Sequence, residues 1–243
     1  MKDLVVLTAT IVPRGTPNVF RSNPVDRRQD YSSAIRHYSK HLSASKTHIL
    51  LIENSGEDLS DLRAAARESG HEISTISYVA ASEDQARGKG VSEAAMFDRV
   101  AAWVIVQDQT FGRIYKITGR LKVTNIRRIQ AQSLTGQFMA CRIRVNLVYA
   151  DCRFFLTDPL TWCMFLTGMG DEVNESAEYY LEHVLMDRLA LMRRAQIPWK
   201  PLLPMPHIVG VSGSYEARYG SWRDRVNDFL ARTAHHLLRG RYL

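Results

Sequence analysis

Cysteine is scarce in this chain. Cys141, Cys152 and Cys163 are the only three, they are widely spaced, and no Cys-x-x-Cys pair occurs. That pattern excludes a zinc-ribbon site and a disulfide framework, and leads us to expect a reducing, cytoplasmic setting. No apolar run approaches the roughly 20 residues needed to span a bilayer. Lys2 and Asp3 lead directly into Leu4-Val5-Val6-Leu7, too short for the apolar core of a signal peptide. Gly-x-Ser-x-Gly is missing, so a hydrolase nucleophile elbow is not expected. The histidines do not gather as ligands, and His235-His236 would point apart on a helix. Internal repeats, low-complexity tracts and an obvious linker are also lacking, so residues 1–243 are expected to form one domain.

What is present is a chain with 45% hydrophobic residues, enough for a sizeable core. Its 32 Lys and Arg exceed its 25 Asp and Glu, giving a net charge of +7. Such an excess fits either an anionic partner or a solvated basic surface. Acidic residues are mixed through most of the chain, so a nucleic-acid-binding tail is not expected.

Apolar, β-branched runs at Leu4–Val12, Thr47–Ile52, His71–Val79 and Arg113–Ile117 read as strands. Helical spacing separates them at Tyr31–Leu42, Ser60–Ser69 and Ser92–Gln107, with Gly70 closing the second helix. This alternation predicts an α/β fold with parallel neighbouring strands over residues 1–125. The remainder, 126–243, reads as α-rich. It has strand-like runs at Met139–Ala150 and Cys152–Leu156, with period-two character at Arg142, Arg144 and Asn146. Helices are expected at Leu160–Leu166, Glu175–Ala195 and Trp222–Leu238, with a connector carrying Pro198, Pro201, Pro204 and Pro206.

In parallel sheets ligands sit beyond the carboxyl ends of the strands. That rule selects Thr8-Ala9-Thr10, Glu53-Asn54-Ser55-Gly56, Gly88-Lys89-Gly90 and Lys116-Ile117-Thr118-Gly119-Arg120. Gly88-Lys89-Gly90 opens a helix, where backbone N–H groups and Lys89 could meet a phosphate; a plain flexible loop is equally compatible. Lys116 and Thr118 project to one side of a strand, with Arg120 beyond Gly119, a constellation suited to a diphosphate or to a solvated surface. Glu53 and Asn54 could read a ribose or base edge, or simply build a turn. Glu175, Glu178 and Glu182 would share one face of a long helix and could supply a general base, or merely complement the helix dipole. Asp151 and Arg153 read as an internal ion pair.

In this order, with Leu7-Thr8-Ala9-Thr10-Ile11, Asp30-Tyr31, Glu93, Glu182-His183 and Gly210-Val211-Ser212-Gly213-Ser214 with Tyr219, the motifs resemble a bacterial family of capsule and lipopolysaccharide glycosyltransferases. The resemblance implies a variant GT-A fold: a nucleotide-binding sheet with flanking helices and an α-rich C-terminal part. It implies a nucleotide-sugar donor and a surface-polysaccharide or lipid-linked glycan acceptor. Donor binding would fall to Thr8, Ala9, Thr10, Asn54, Gly88, Lys89, Gly90, Lys116, Thr118, Arg120, Ser212 and Ser214. If the reaction inverts, the base would be Glu182, Glu172 or Asp151, in that order. GT-A enzymes carry Asp-x-Asp near the position of Lys116–Arg120 and use it to hold a divalent metal. No Asp-x-Asp occurs in this chain, and the implied replacement is a set of cations, Lys89, Lys116 and Arg120. The competing readings are a non-catalytic nucleotide-sugar-binding homologue and a nucleotidyltransferase. Finally, Trp222, Val226, Phe229, Leu230, Thr233 and Leu237 form an apolar stripe flanked by Arg223, Arg225, Arg232, Arg239 and Arg241. It could pack on the core or rest on an anionic inner membrane face.

Overall fold

The computed structural model describes all residues except 18, 145, 214–217 and 221–243. The terminal stripe from Trp222, and Ser214, lie outside the described residues.

The first half follows the expected alternation: β1 (Lys2–Ala9), α1 (Pro24–His41), β2 (Thr47–Glu53), α2 (Ser60–Glu68), β3 (Ile73–Ser77), α3 (Ser82–Arg87), α4 (Lys89–Ile105) and β4 (Phe111–Thr118). Then come β5 (Lys122–Val123), α5 (Ile126–Gln130), β6 (Met139–Ile143), β7 (Ala150–Thr157), α6 (Pro159–Phe165) and α7 (Met169–Glu172). A 3₁₀ turn (Glu175–Ala177), α8 (Leu181–Arg194), β8 (Trp199–Lys200), β9 (Ile208–Val211) and β10 (Arg218–Tyr219) complete the described elements.

A seven-stranded sheet runs in the order β3-β2-β1-β4-β7-β6-β8. Its first four strands are mutually parallel, as helical crossovers of that length require. β7 then pairs antiparallel with both β4 and β6, and β6 runs parallel with β8. A small second sheet, β10-β9-β5, closes one end. Side chains alternate across the main sheet and divide the interior into two cores. Leu4, Val6, Leu50, Ile52 and Phe155 face α4, α6 and α8, while Val5, Leu7, Ile49, Leu51 and Phe154 face α1 and α2. Phe97, Phe155 and Trp162 meet edge-on or tilted in the first core, with ring centroids 5.4–5.8 Å apart.

Three sequence expectations shift. α1 begins two turns earlier than apolar spacing predicts, because Asn23 caps it and Pro24 starts it. Its first turns are charged, and it is Arg27 that is buried there, a residue no hydrophobic pattern registers. The stretch Met139–Ala150 is not one strand. It turns between β6 and β7, closed by the Arg144 N–H donating to the Tyr149 carbonyl at 2.9 Å. The expected helix from Glu175 is interrupted. Asn174 and Tyr179 exchange two backbone hydrogen bonds at 2.9 Å, Glu178 takes a left-handed φ of 57°, and α8 starts only at Leu181. Glu175, Glu178 and Glu182 therefore do not share a helix face. Among the described residues, no helix is long and apolar enough to cross a membrane.

Candidate active site

One cavity of about 930 Å³ opens at the carboxyl edge of β1 and β4, between α1 on one side and α4 and α8 on the other. Its volume lies within the range of small-ligand sites.

The floor is the end of β1. Thr8 Oγ1 donates to Glu93 Oε1 at 2.8 Å, and the same carboxylate oxygen pairs with Lys116 Nζ at 2.6 Å. Thr10 Oγ1 donates to Asn54 Oδ1 at 2.6 Å, while Asn54 Nδ2 donates to the Ser92 carbonyl. Asn54 is thereby held between β1 and α4. Glu53 is wholly buried and accepts the backbone N–H groups of Ile11, Ser55 and Glu57, so of the two readings of this motif Glu53 builds the turn and Asn54 reaches the cavity. On the α1 side, Arg27 Nε donates to the Thr10 carbonyl at 2.5 Å and Tyr31 brackets the same residue from both sides. These bonds fix the β1–α1 loop, and both side chains line the cavity.

Arg120 lines the same wall. It is aimed by Nη1 donating to the Val211 carbonyl at 2.7 Å, and Gly213 lies so close that a Cβ there would fall on the guanidinium. Across the cavity, Lys89 and Gly90 start α4, with Glu175 seated against Gly88 and Gly90. Glu175 Oε1 accepts the Gly90 N–H at 2.7 Å, satisfying a donor that a helix start leaves unpaired. Glu182, in the first turn of α8, is half-buried and lines the cavity. Burial raises its carboxyl above the ordinary range; Glu93 and Asp151 push the same way and Lys89 opposes. Asp151 is bidentate to Arg153, at 2.5 and 2.9 Å. Burial alone would raise its pKa, but the Arg153 charge and hydrogen bonds outweigh that and hold it low. Arg153 in turn lies 4.7 Å from the Tyr219 ring centroid.

The fold thus brings Thr8, Ala9, Thr10, Asn54, Lys89, Gly90, Thr118, Arg120, Asp151 and Glu182 to one cavity. It places others elsewhere. Lys116 has no exposed side-chain surface; its Nζ is spent on Glu93, Thr118 and the Cys152 carbonyl, so it lies beneath the floor and cannot touch a diphosphate directly. Lys116 and Thr118 do share a strand side, but that side packs under α4. Glu172 pairs with Arg188 and does not line the cavity. Gly88 is covered by Glu175. Ser212 is buried, accepting the Tyr219 hydroxyl at 3.3 Å. Sequence reasoning missed Arg27, Tyr31, Arg142, Arg144, Tyr149 and Tyr180 as lining residues. The alternation of Arg142 and Arg144 was the available signal. Arg27 and Tyr180 precede or start helices and leave no pattern.

A divalent ion bridging a diphosphate needs convergent oxygen ligands. Here Asp151 is committed to Arg153, Glu93 to Lys116 and Thr8, and Glu175 to the Gly90 N–H. Among the described residues no group of three His, Cys, Asp or Glu side chains converges. Of the cavity carboxylates, only Glu182 is left without a cation or a partner N–H among these bonds, so the donor set fits such an ion poorly.

Comparison with solved structures identifies the fold. It is GT-A-like. The glycosyltransferase GlyE of Streptococcus pneumoniae TIGR4 superposes with a TM-score of 0.53 at 14% identity, covering 96% of this chain and 64% of that one. The galactosyltransferase LgtC, solved with donor and acceptor sugar analogues, gives 0.50 at 13% identity, covering 75% and 69%. This chain therefore spans a little under two thirds of the length of GlyE. No family profile and no curated protein matches the sequence. The mixed sheet, flanked by helices and open at the carboxyl edge of its parallel strands, is the architecture shared with these enzymes.

Proposed function

We propose that this chain is a glycosyltransferase that moves a sugar from a nucleotide-sugar to a hydroxyl of a surface-polysaccharide or lipid-linked glycan. One observation carries the reading: Lys89, Arg120 and the half-buried Glu182 line a single cavity at the ligand edge of a GT-A-like sheet. Thr10, Asn54 and Tyr31 offer polar groups and a ring for the nucleoside. Arg120 and Lys89 offset the charge that develops on the diphosphate as the bond from the sugar C1 to phosphate oxygen breaks and the leaving group takes the electron pair. The acceptor oxygen bonds to C1 and gives its proton to a carboxylate. Glu182 suits that role because burial raises its carboxyl above the ordinary range, which makes its carboxylate a stronger base. Asp151, held low by Arg153, is the weaker base. The poor fit of the carboxylates to a metal makes the chain's own cations the proposed counter-charge. We place the reaction in the cytoplasm, with a lipid-linked acceptor reached at the inner membrane face.

The test is incubation with a panel of nucleotide-sugars, with and without glycan acceptors, with product analysis. Release of free nucleoside diphosphate that depends on acceptor supports transfer. Pyrophosphate release would instead mark a nucleotidyltransferase. Saturable nucleotide-sugar binding with no release under any acceptor would mark a binding module.

A further inference from the structure

The cavity has a second, aromatic and cationic end that the donor does not require. It is built by the β6–β7 hairpin and the start of α8. Tyr149 and Asp151 share one side of the chain leading into β7, while Tyr180 caps α8 and Glu182 lies in its first turn, so two tyrosines and two carboxylates face one space.

The rings there are organised. His183 is the hub: its centroid lies 4.3 Å from Tyr149, 5.2 Å from Tyr179 and 5.7 Å from Tyr180. The Tyr180 backbone N–H donates to His183 Nδ1 at 2.9 Å, which locks the imidazole in place at the N-cap of α8. A packed ring set at a cavity wall offers a rigid flat face, the kind of surface on which the C–H face of a sugar stacks.

The same end is also cationic. Arg144 is exposed, lies 4.9 Å over the Tyr149 ring, and forms no ion pair with any described residue. Arg142 lines the cavity beside it and is near enough to Asp151 to help hold that carboxyl low. Guanidinium groups beside those carboxylates offset their charge and offer forked donors that match a planar, bidentate anion.

We propose that this end is an acceptor subsite for an acidic sugar, whose ring lies against the wall built by Tyr149 and Tyr180 and whose carboxylate or phosphate is held by Arg144 and Arg142. This rests on the glycosyltransferase reading above and adds the class of acceptor. A sugar so placed has its hydroxyls toward Glu182, the carboxylate proposed to take the proton.

The test is saturation-transfer NMR and calorimetry on the full chain. The probes are a hexuronic-acid disaccharide, a sugar monophosphate, and the neutral sugar matched to each. Binding of either acidic probe in preference to its neutral match is expected, and the two acidic arms tell carboxylate from phosphate. Arg144→Ala should weaken the preferred acidic probe about tenfold, the loss of one charge-assisted pair. Tyr149→Ala should weaken acidic and neutral sugars together. Both variants should bind nucleoside diphosphate as the parent does, which shows that they fold. Equal binding of acidic and neutral probes, no binding of either acidic probe, or an Arg144→Ala variant that keeps full preference overturns the proposal. Failure of the glycosyltransferase reading would look different: nucleotide-sugars would fail to bind or turn over, whatever the acidic probes do.

Discussion

Lys116→Met is the sharpest test of how the cavity floor is built. Lys116 is fully buried in a central strand and its Nζ sits 2.6 Å from Glu93 Oε1. Methionine has nearly the same length, so the change removes charge without opening a void. Breaking a buried ion pair by deleting one partner costs about 3–5 kcal/mol. The Glu93 side chain keeps 26% of its surface exposed, so water relieves part of its lost pairing. We therefore expect a loss of about 2–4 kcal/mol, which for a chain of this size lowers Tm by roughly 4–16 °C. Glu93→Gln should cost at least as much, since it leaves the Lys116 charge buried with only neutral partners. The double variant should recover about 0.5–3 kcal/mol relative to the sum of the single changes. Urea unfolding of the four proteins measures this. Strict additivity, or a Lys116→Met variant as stable as the parent, would refute the pairing. The same variant should weaken nucleoside-diphosphate affinity only indirectly, through the Glu93 carboxylate that it leaves unpaired at the cavity wall.

Arg120→Ala should weaken nucleoside-diphosphate binding by about 1.5–3 kcal/mol, read by calorimetry. Gly213→Ala should do so more mildly, since a Cβ there displaces the guanidinium. Glu182→Gln should bind donor normally and lose about 10²-fold or more in turnover. Its stability follows the sign of the shift. A carboxyl raised in the fold has its stabilising contribution intact below the ordinary pKa of 4.5 and loses it as pH rises through the folded value. Glu182→Gln should therefore match the parent in acid and exceed it in stability at neutral pH, by thermal melting across pH. Activity of the parent should rise with pH along an acid limb lying above 4.5, and a limb at or below that value removes Glu182 as the base.

The parallel half of the sheet was legible because β1 and β2 are continuous apolar runs separated by helical spacing. Its ligand edge followed from topology alone, which is why Thr10, Asn54 and Arg120 could be picked without coordinates. The antiparallel half was not legible in its connections. In Met139–Ala150 the one mark of the turn is Asn146, whose Oδ1 accepts the Val148 N–H at 3.3 Å, while Leu147 takes a φ of 58° without being glycine or asparagine. The position of Lys116 was missed for a different reason. Alternation shows which side chains share a face, but not that α4 covers that face and supplies Glu93. The break before α8 depends on two backbone bonds between Asn174 and Tyr179, and an acidic, otherwise helix-compatible sequence hides it.

The two apolar cores carry opposite walls of the cavity. Leu181, Val184 and Leu185 root the Glu182 wall in one, while Tyr31, Ile35 and Tyr38 root the Arg27 and Tyr31 wall in the other. The sheet lies between them, and at the cavity the two sides are joined through polar bonds, from Arg27 and Tyr31 to Thr10, from Thr10 to Asn54 and from Asn54 to the Ser92 carbonyl on α4. Leu185→Ala would then loosen the Glu182 wall, and Ile35→Ala the Arg27 and Tyr31 wall.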